Sequence, residues 1–265
     1  MTARVLAAAV LVTLSANLAP ATEIRFIPIP ERVACADVVA VGTVTNIEEK
    51  TIEAEQYKGG NKTQFRIAVV KVSDQVFGGG DVTHLRVAFV PKEDQPSGKL
   101  KIGTPVLEKD EEVLLFLRKR SDEGFYRLGG HFGAVKKSNK LDEAIKEAKA
   151  AGKILVDADK ALKSKDQTER MTAAWLLTTR YRAYPADAVI GKTSEEPVGA
   201  DESQAIVEGL LALAEKNSDA FYTAASSLNL SREDGFGPNF TPDKAKAWLK
   251  DNAKTYRIKK IVPAK

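Results

Sequence analysis

Residues 64–80, QFRIAVVKVSDQVFGGG, decide the fold class of this chain. The stretch opens with apolar and polar residues in alternation. Phe65, Ile67 and Val69 share one face and Gln64, Arg66 and Ala68 the other, which is the period of a β-strand. Val70 and Val72 then carry the apolar residues to the second face, predicting a bulge or burial on both sides. Gly78, Gly79, Gly80 and Asp81 form the turn that ends it. Outward from this strand, residues 38–44 (VVAVGTV) are short and β-rich. Residues 83–90 alternate again, with Leu85, Val87 and Phe89 inward and His84 and Arg86 outward. After a polar loop broken by Pro91, Pro96, Gly98, Gly103 and Pro105, residues 112–117 form a mostly apolar strand. Residues 124–135 form the last, interrupted by Gly129, Gly130 and Gly133. Five strands with glycine bends predict a small closed or nearly closed barrel, because glycine lets a strand turn a corner.

Beyond residue 137 the texture changes to helical spacing. Leu141, Ile145 and Ala148 mark a short amphipathic run, and Ile154, Leu155, Ala158, Ala161 and Leu162 continue after Gly152. Asp166 stands as an N-cap with Glu169 three residues on. Ala173, Leu176, Leu177 and Tyr181 share the next face. Residues 185–200 read as a loop, Asp201 as a cap, and Ile206, Val207, Leu210, Leu211 and Ala214 as a buried stripe. Ser218 starts another helix. Thr241 and Pro242 give the clearest start, Thr at the N-cap and Pro at the first helical position. The expected class is therefore α+β: a small β-barrel of about five strands over residues 22–137, followed by an all-α helical domain over 138–265.

The first residues read as an address. Arg4 is the only charged residue before Glu23, and residues 5–18, VLAAAVLVTLSANL, are apolar or small. Ala19 and Ala21 flank Pro20 in the small-x-small pattern of a signal-peptide cleavage site. The apolar run falls short of the roughly 20 residues a membrane span needs. Residues 1–21 are thus expected to be a signal peptide, with Thr22 as the mature N-terminus, no membrane span after cleavage, and a secreted or periplasmic location.

Composition removes several chemistries. Two His and one Cys cannot build a four-ligand Cys/His zinc site, and one Cys cannot form an internal disulfide. A net charge of +4 is too small to mark a nucleic-acid binder.

Three strings also carry a resemblance: CADVVAVGTV at 35–44, QFRIAVVKVSDQVFGGG at 64–80 and LKIGTPVLEKDEEVLLFL at 100–117. In this order they resemble the netrin-like module of netrin C-terminal domains and tissue inhibitors of metalloproteinases. The resemblance covers the strand half only and implies an OB-type barrel. Those modules are tied by several disulfides, whereas this chain has Cys35 alone. The inhibitors bind zinc through an N-terminal cysteine, whereas Thr22 stands at the expected mature N-terminus, so that mechanism does not carry over. The whole chain is also similar to secreted bacterial proteins of the same layout, a likeness that implies no activity.

The candidate site residues are few. Cys35, at the entrance of a valine strand, reads as a small buried residue, or else as an exposed thiol that pairs with another chain. His84 reads as a surface residue. His131, among Gly129, Gly130 and Gly133, marks a barrel corner or a place where a ligand approaches backbone. No G-x-S-x-G elbow accompanies it. Gly191-Lys192-Thr193 imitates the end of a phosphate loop, but Ala186 stands where the first Gly belongs. Glu108, Asp110, Glu111 and Glu112 read as a solvated acidic turn rather than a calcium loop. Lys254, Arg257, Lys259, Lys260 and Lys265 make a basic tail, read as charges opposing a helix dipole.

The expected function is non-catalytic binding of another protein or an extracellular polymer, with no cofactor, no metal and no nucleic acid. The alternatives are an exported hydrolase using His131 with carboxylates, and a structural component of the cell envelope. The sequence assigns no binding residues and no oligomeric state.

Overall fold

The computed structural model describes residues 26–95 and 104–264. Ala19 and Ala21, the expected cleavage site, lie outside the described residues. No helix among those described is long and apolar enough to cross a membrane.

The chain is a mixed α+β fold. A short helix, α1 (Ile29–Cys35), precedes the strands β1 (Val38–Ile47), β2 (Ile52–Glu55), β3 (Lys62–Phe77), β4 (His84–Phe89), β5 (Glu112–Lys119), β6 (Tyr126–Leu128) and β7 (Ala134–Lys136). These seven form one sheet. β1 pairs antiparallel with β3 on one side and β5 on the other. β3 pairs antiparallel with β4, β4 runs parallel to β6, and β6 pairs antiparallel with β5, so the pairing returns to β1 through a ring of five strands. β2 extends β3, and β7 extends β5.

The expected strands are all present, and the change of apolar face in β3 has a structural cause. Phe65 and Ile67 pack with Ala88 under Ile52, Ala54 and Phe125, while Ala68 and Val70 point to the other side. The β1–β3 register slips at three places. Inside the ring, Val38, Ala40 and Val44 meet Leu85, Val87, Leu115 and Leu117. The alternate residues Val39, Val41, Leu114 and Phe116 face outward and are equally buried. Strands covered on both faces have no polar alternation, which is why VVAVGTV and EVLLFL read as continuous apolar runs.

That outer face is covered by α1 and by α2 (Leu141–Val156), whose Leu141, Ala144, Ala148 and Ala151 share a core with Val39, Val41, Leu114 and Phe116. Leu176, from α4 (Gln167–Arg182), completes it. Sequence spacing suggests a break near Gly152, yet α2 runs through it. The reason is close packing: a Cβ at Gly152 would lie 2.7 Å from the Val76 carbonyl oxygen of β3.

A second core lies among α3 (Ala158–Leu162), α4, α5 (Ala200–Lys216), α6 (Ser218–Ser227) and α7 (Pro242–Asn252). Asp166 caps α4 by accepting from Thr168 N at 2.8 Å, and Thr241 caps α7 by accepting from Lys244 N at 3.3 Å. Glu169 does not close the capping box; it takes the Ser164 hydroxyl instead. Asp201 is not the cap of α5. Gly199 holds that place, and Asp201 sits in the first turn, where its charge suits the helix dipole.

Residues 185–200 are not all loop. β8 (Thr193–Pro197) pairs antiparallel with β9 (Lys259–Pro263), so part of the basic tail is a strand rather than a helix end. Lys259 bonds Asp234 at 2.7 Å, and Arg182 bonds both Glu195 at 2.6 Å and the Lys259 carbonyl at 3.0 Å.

Candidate functional site

A cavity of about 580 Å3 lies where α1, the β5–β6 end of the sheet and residues 184–190 meet. Each wall follows from local sequence. In α1, Arg32 and Cys35 are three residues apart and so share a helix face. Along β5 a two-residue period puts Phe116 and Arg118 on one side, and Arg120 just beyond the strand continues it. β6 contributes Arg127 and Leu128, followed by a tight turn that presents Phe132.

That turn depends on glycine. Gly130 has φ +70°, and a Cβ on Gly133 would lie 2.6 Å from Gly129 N. Phe116 holds both ends: its N–H donates to the Gly133 carbonyl at 2.9 Å, and its carbonyl accepts from Gly129 N at 2.9 Å.

The 184–190 segment is tied to the end of β5. Arg118 Nη2 donates to the Tyr184 carbonyl at 2.6 Å. The Ser121 N–H and hydroxyl both donate to Asp187 Oδ1, at 2.9 and 3.1 Å. This brings Ala188 and Ile190 to the cavity.

The four arginines differ in how their charge is met. Arg118 Nε bonds Asp37 Oδ2 at 3.2 Å. Arg127 is held by Glu123 and stacks 4.5 Å from the Phe65 centroid. Arg120 reaches Asp122, Glu55 and Glu123. Burial works against the Arg120 charge, but these carboxylates outweigh it and hold the pKa above its ordinary value. The hydrogen bond from Arg120 in turn holds the Asp122 carboxyl below its ordinary value.

Arg32 is different. It is 8% exposed, and its Nε donates to the Ile27 carbonyl at 2.7 Å. Its guanidinium carbon lies 5.2, 5.7 and 4.8 Å from the ring centroids of Phe26, Phe116 and Phe132. Among the described residues no carboxylate pairs with it. Burial lowers its pKa, with Glu147 acting the other way. A guanidinium stays charged at neutral pH regardless.

Most of the remaining lining is apolar. Tyr57, Tyr184 and Ile190 are 45%, 38% and 57% exposed, unusual for large apolar side chains, and all three line the cavity. Phe26 packs edge-on against Phe132 at 5.9 Å.

Of the residues singled out from sequence, Cys35 lines this cavity, and so do Gly129 and Gly130 of the glycine turn. Cys35 ends α1 rather than opening β1, and it is half-buried. Burial pushes its thiol pKa up and Glu31 adds to this, while Arg118 and Arg180 pull it down. His131 is exposed in the glycine turn beside the cavity and does not line it. His84 is exposed with Nδ1 3.1 Å from Thr83 Oγ1. Gly191, Lys192 and Thr193 form the turn entering β8. In the acidic turn Glu111 pairs with Lys136 at 3.0 Å and Glu112 with Lys137 at 3.8 Å. Among the described residues no three His, Cys, Asp or Glu side chains converge to hold a metal.

The arginines and Phe132 escaped sequence reading, although the period of β5 already put Arg118 and Arg120 on the face of Phe116. No protein-family model and no curated protein matches this chain.

Proposed function

We propose that this chain is an exported, non-catalytic binding protein that takes an apolar group of its partner into the cavity between α1, β5, β6 and residues 184–190. The observation that carries the reading is the coincidence of that cavity with exposed Tyr57, Tyr184 and Ile190 at its walls. A concave, largely apolar site with a few fixed polar groups is the usual form of a ligand site, and about 580 Å3 lies within the usual range of several hundred Å3. The lining groups are guanidiniums, aromatic rings and a thiol favoured in its protonated form, a set suited to holding a ligand. The partner is a compact ligand, or a side group of a protein or extracellular polymer.

The sheet is read as an OB-type, netrin-like barrel. What supports this is the five-strand ring of pairing with its single parallel contact between β4 and β6, together with the sequence resemblance. Export rests on residues 1–21. The hydrolase alternative requires His131 within reach of a ligand, and its exposed position outside the cavity lining disfavours it.

Amide NMR of the isotope-labelled chain during a fragment screen tests the binding reading. Hits are expected to shift the amides of residues 128–132 and 184–190, and Ala188→Trp, which fills the cavity, is expected to abolish those shifts. Fragments that bind elsewhere, or shifts that survive Ala188→Trp, would overturn it, as would turnover of a bound fragment.

A further inference from the structure

The charge pattern of the cavity narrows what it can hold. Arg118, Arg120 and Arg127 are each neutralised by carboxylates within the fold: Asp37 for the first, and Glu55, Asp122 and Glu123 for the other two. Arg32 lines the same cavity, is more than nine-tenths buried, and among the described residues no carboxylate forms an ion pair with it, Glu147 acting only from a distance. Among the described residues only its Nε is engaged, on the Ile27 carbonyl. Among the described residues its terminal nitrogens have no acceptor, and three phenylalanine rings flank the group. A buried cation gains most from an anion that can accept two parallel hydrogen bonds.

Resting on the binding reading above, we infer that the cavity takes a small monoanionic amphiphile, its carboxylate on Arg32 and its aliphatic or aromatic body along Phe132, Leu128 and Ala188. One unneutralised guanidinium matches one negative charge. A second negative charge would find no unpaired cation there, because Arg118, Arg120 and Arg127 are already held by their own carboxylates. The apolar body replaces water on Phe116, Phe132 and Ile190, which supplies most of the affinity.

Isothermal titration of the intact chain with decanoate, decanol and decyl phosphate tests this. Decanoate is expected to bind about tenfold or more tighter than decanol, a difference of about 1.4 kcal/mol. It should also bind tighter than decyl phosphate in its dianionic form. Arg32→Gln is expected to remove the preference for decanoate over decanol. Arg32→Lys, which keeps the charge and guards against a folding defect in the first variant, should keep part of the preference. Equal affinity for decanoate and decanol, or a preference that survives Arg32→Gln, would overturn the inference alone, provided Ala188→Trp still blocks decanol. If none of the three compounds binds, or if Ala188→Trp blocks none of them, the cavity reading fails as well.

Discussion

The guanidinium of Arg32 lies 4.8 Å from the ring centroid of Phe132, joining the first helix of the fold to the glycine turn after β6. Neither residue belongs to a motif. They meet because Phe116 holds the turn at both ends and because α1 lies across the same strand. The contact does two things at once: it balances part of a buried charge and it shapes one wall of the cavity.

Phe132→Ala should therefore lower stability by about 1–2 kcal/mol, combining lost packing with a cation–π contact worth about 0.5–2 kcal/mol. Phe132→Leu should recover the packing and not the cation–π part. Urea unfolding of the three proteins measures this. Coincident midpoints for the wild type and the alanine variant would show that the ring does not support Arg32.

Gly152 poses a sign question that magnitudes decide. In the interior of a helix, Gly→Ala usually stabilises by about 1 kcal/mol. Here the new Cβ would sit 2.7 Å from the Val76 carbonyl oxygen, and a backbone atom in a paired strand does not move aside easily. Overpacking costs about 1–3 kcal/mol. Gly152→Ala is expected to destabilise by about 1 kcal/mol net, read as a lower thermal midpoint. A higher midpoint would mean that α2 can lift from β3 without loss.

Cys35 should behave as a slow thiol. Its pKa is pushed up by burial, so less thiolate is present at neutral pH than for a free cysteine, and the thiolate is the reactive form. Alkylation by iodoacetamide at pH 7.5 is expected to lag a free-cysteine peptide, to rise with pH beyond the ordinary thiol range near 8.5, and to reach the peptide's rate in denaturant. Arg118→Gln, which removes a cation that favours the thiolate, should slow it further. Rapid alkylation of the folded chain would contradict this and favour the exposed-thiol alternative.

What the sequence disclosed, and what it hid, follows from where the information sits. β1, β3, β4 and β5 were legible because each carries its own alternation or apolar run, written over neighbouring residues. Thr241–Pro242 was legible because a cap is local. β8 was not: TSEEP is exposed and almost devoid of apolar residues, and it is a strand only because residues 259–263 return to pair with it. α1 was missed because seven residues beginning IPER carry too little period to distinguish a helix from an extended lead-in. The cavity is a product of assembly. Arg32, Arg120 and Ala188 are far apart in the chain, and no spacing rule relates them. His84 and His131, the two histidines of the chain, both lie outside the cavity lining, because scarcity of a residue type says nothing about its place in the fold.

The Asp234–Lys259 pair shows the same long-range closure and has a pH signature. Burial alone would raise the Asp234 pKa, but hydrogen bonds from Lys259 Nζ at 2.7 Å and from the Ser231 N–H and hydroxyl, each at 3.0 Å, outweigh it and hold the carboxyl below its ordinary value. A carboxyl that ionises more readily in the folded than in the unfolded chain stabilises the fold when ionised. That contribution is whole above the unfolded range near pH 4 and is lost as the pH falls through the lower folded value. Asp234→Asn should thus be less stable than the wild type at pH 7, and the gap should narrow steadily below about pH 4. Lys259→Met should return the Asp234 carboxyl toward its ordinary range and flatten the wild-type pH dependence in the same window. Urea unfolding at pH 7, 4 and 3 checks both; a gap that stays constant across these pH values would mean that the pair does not contribute through its charge.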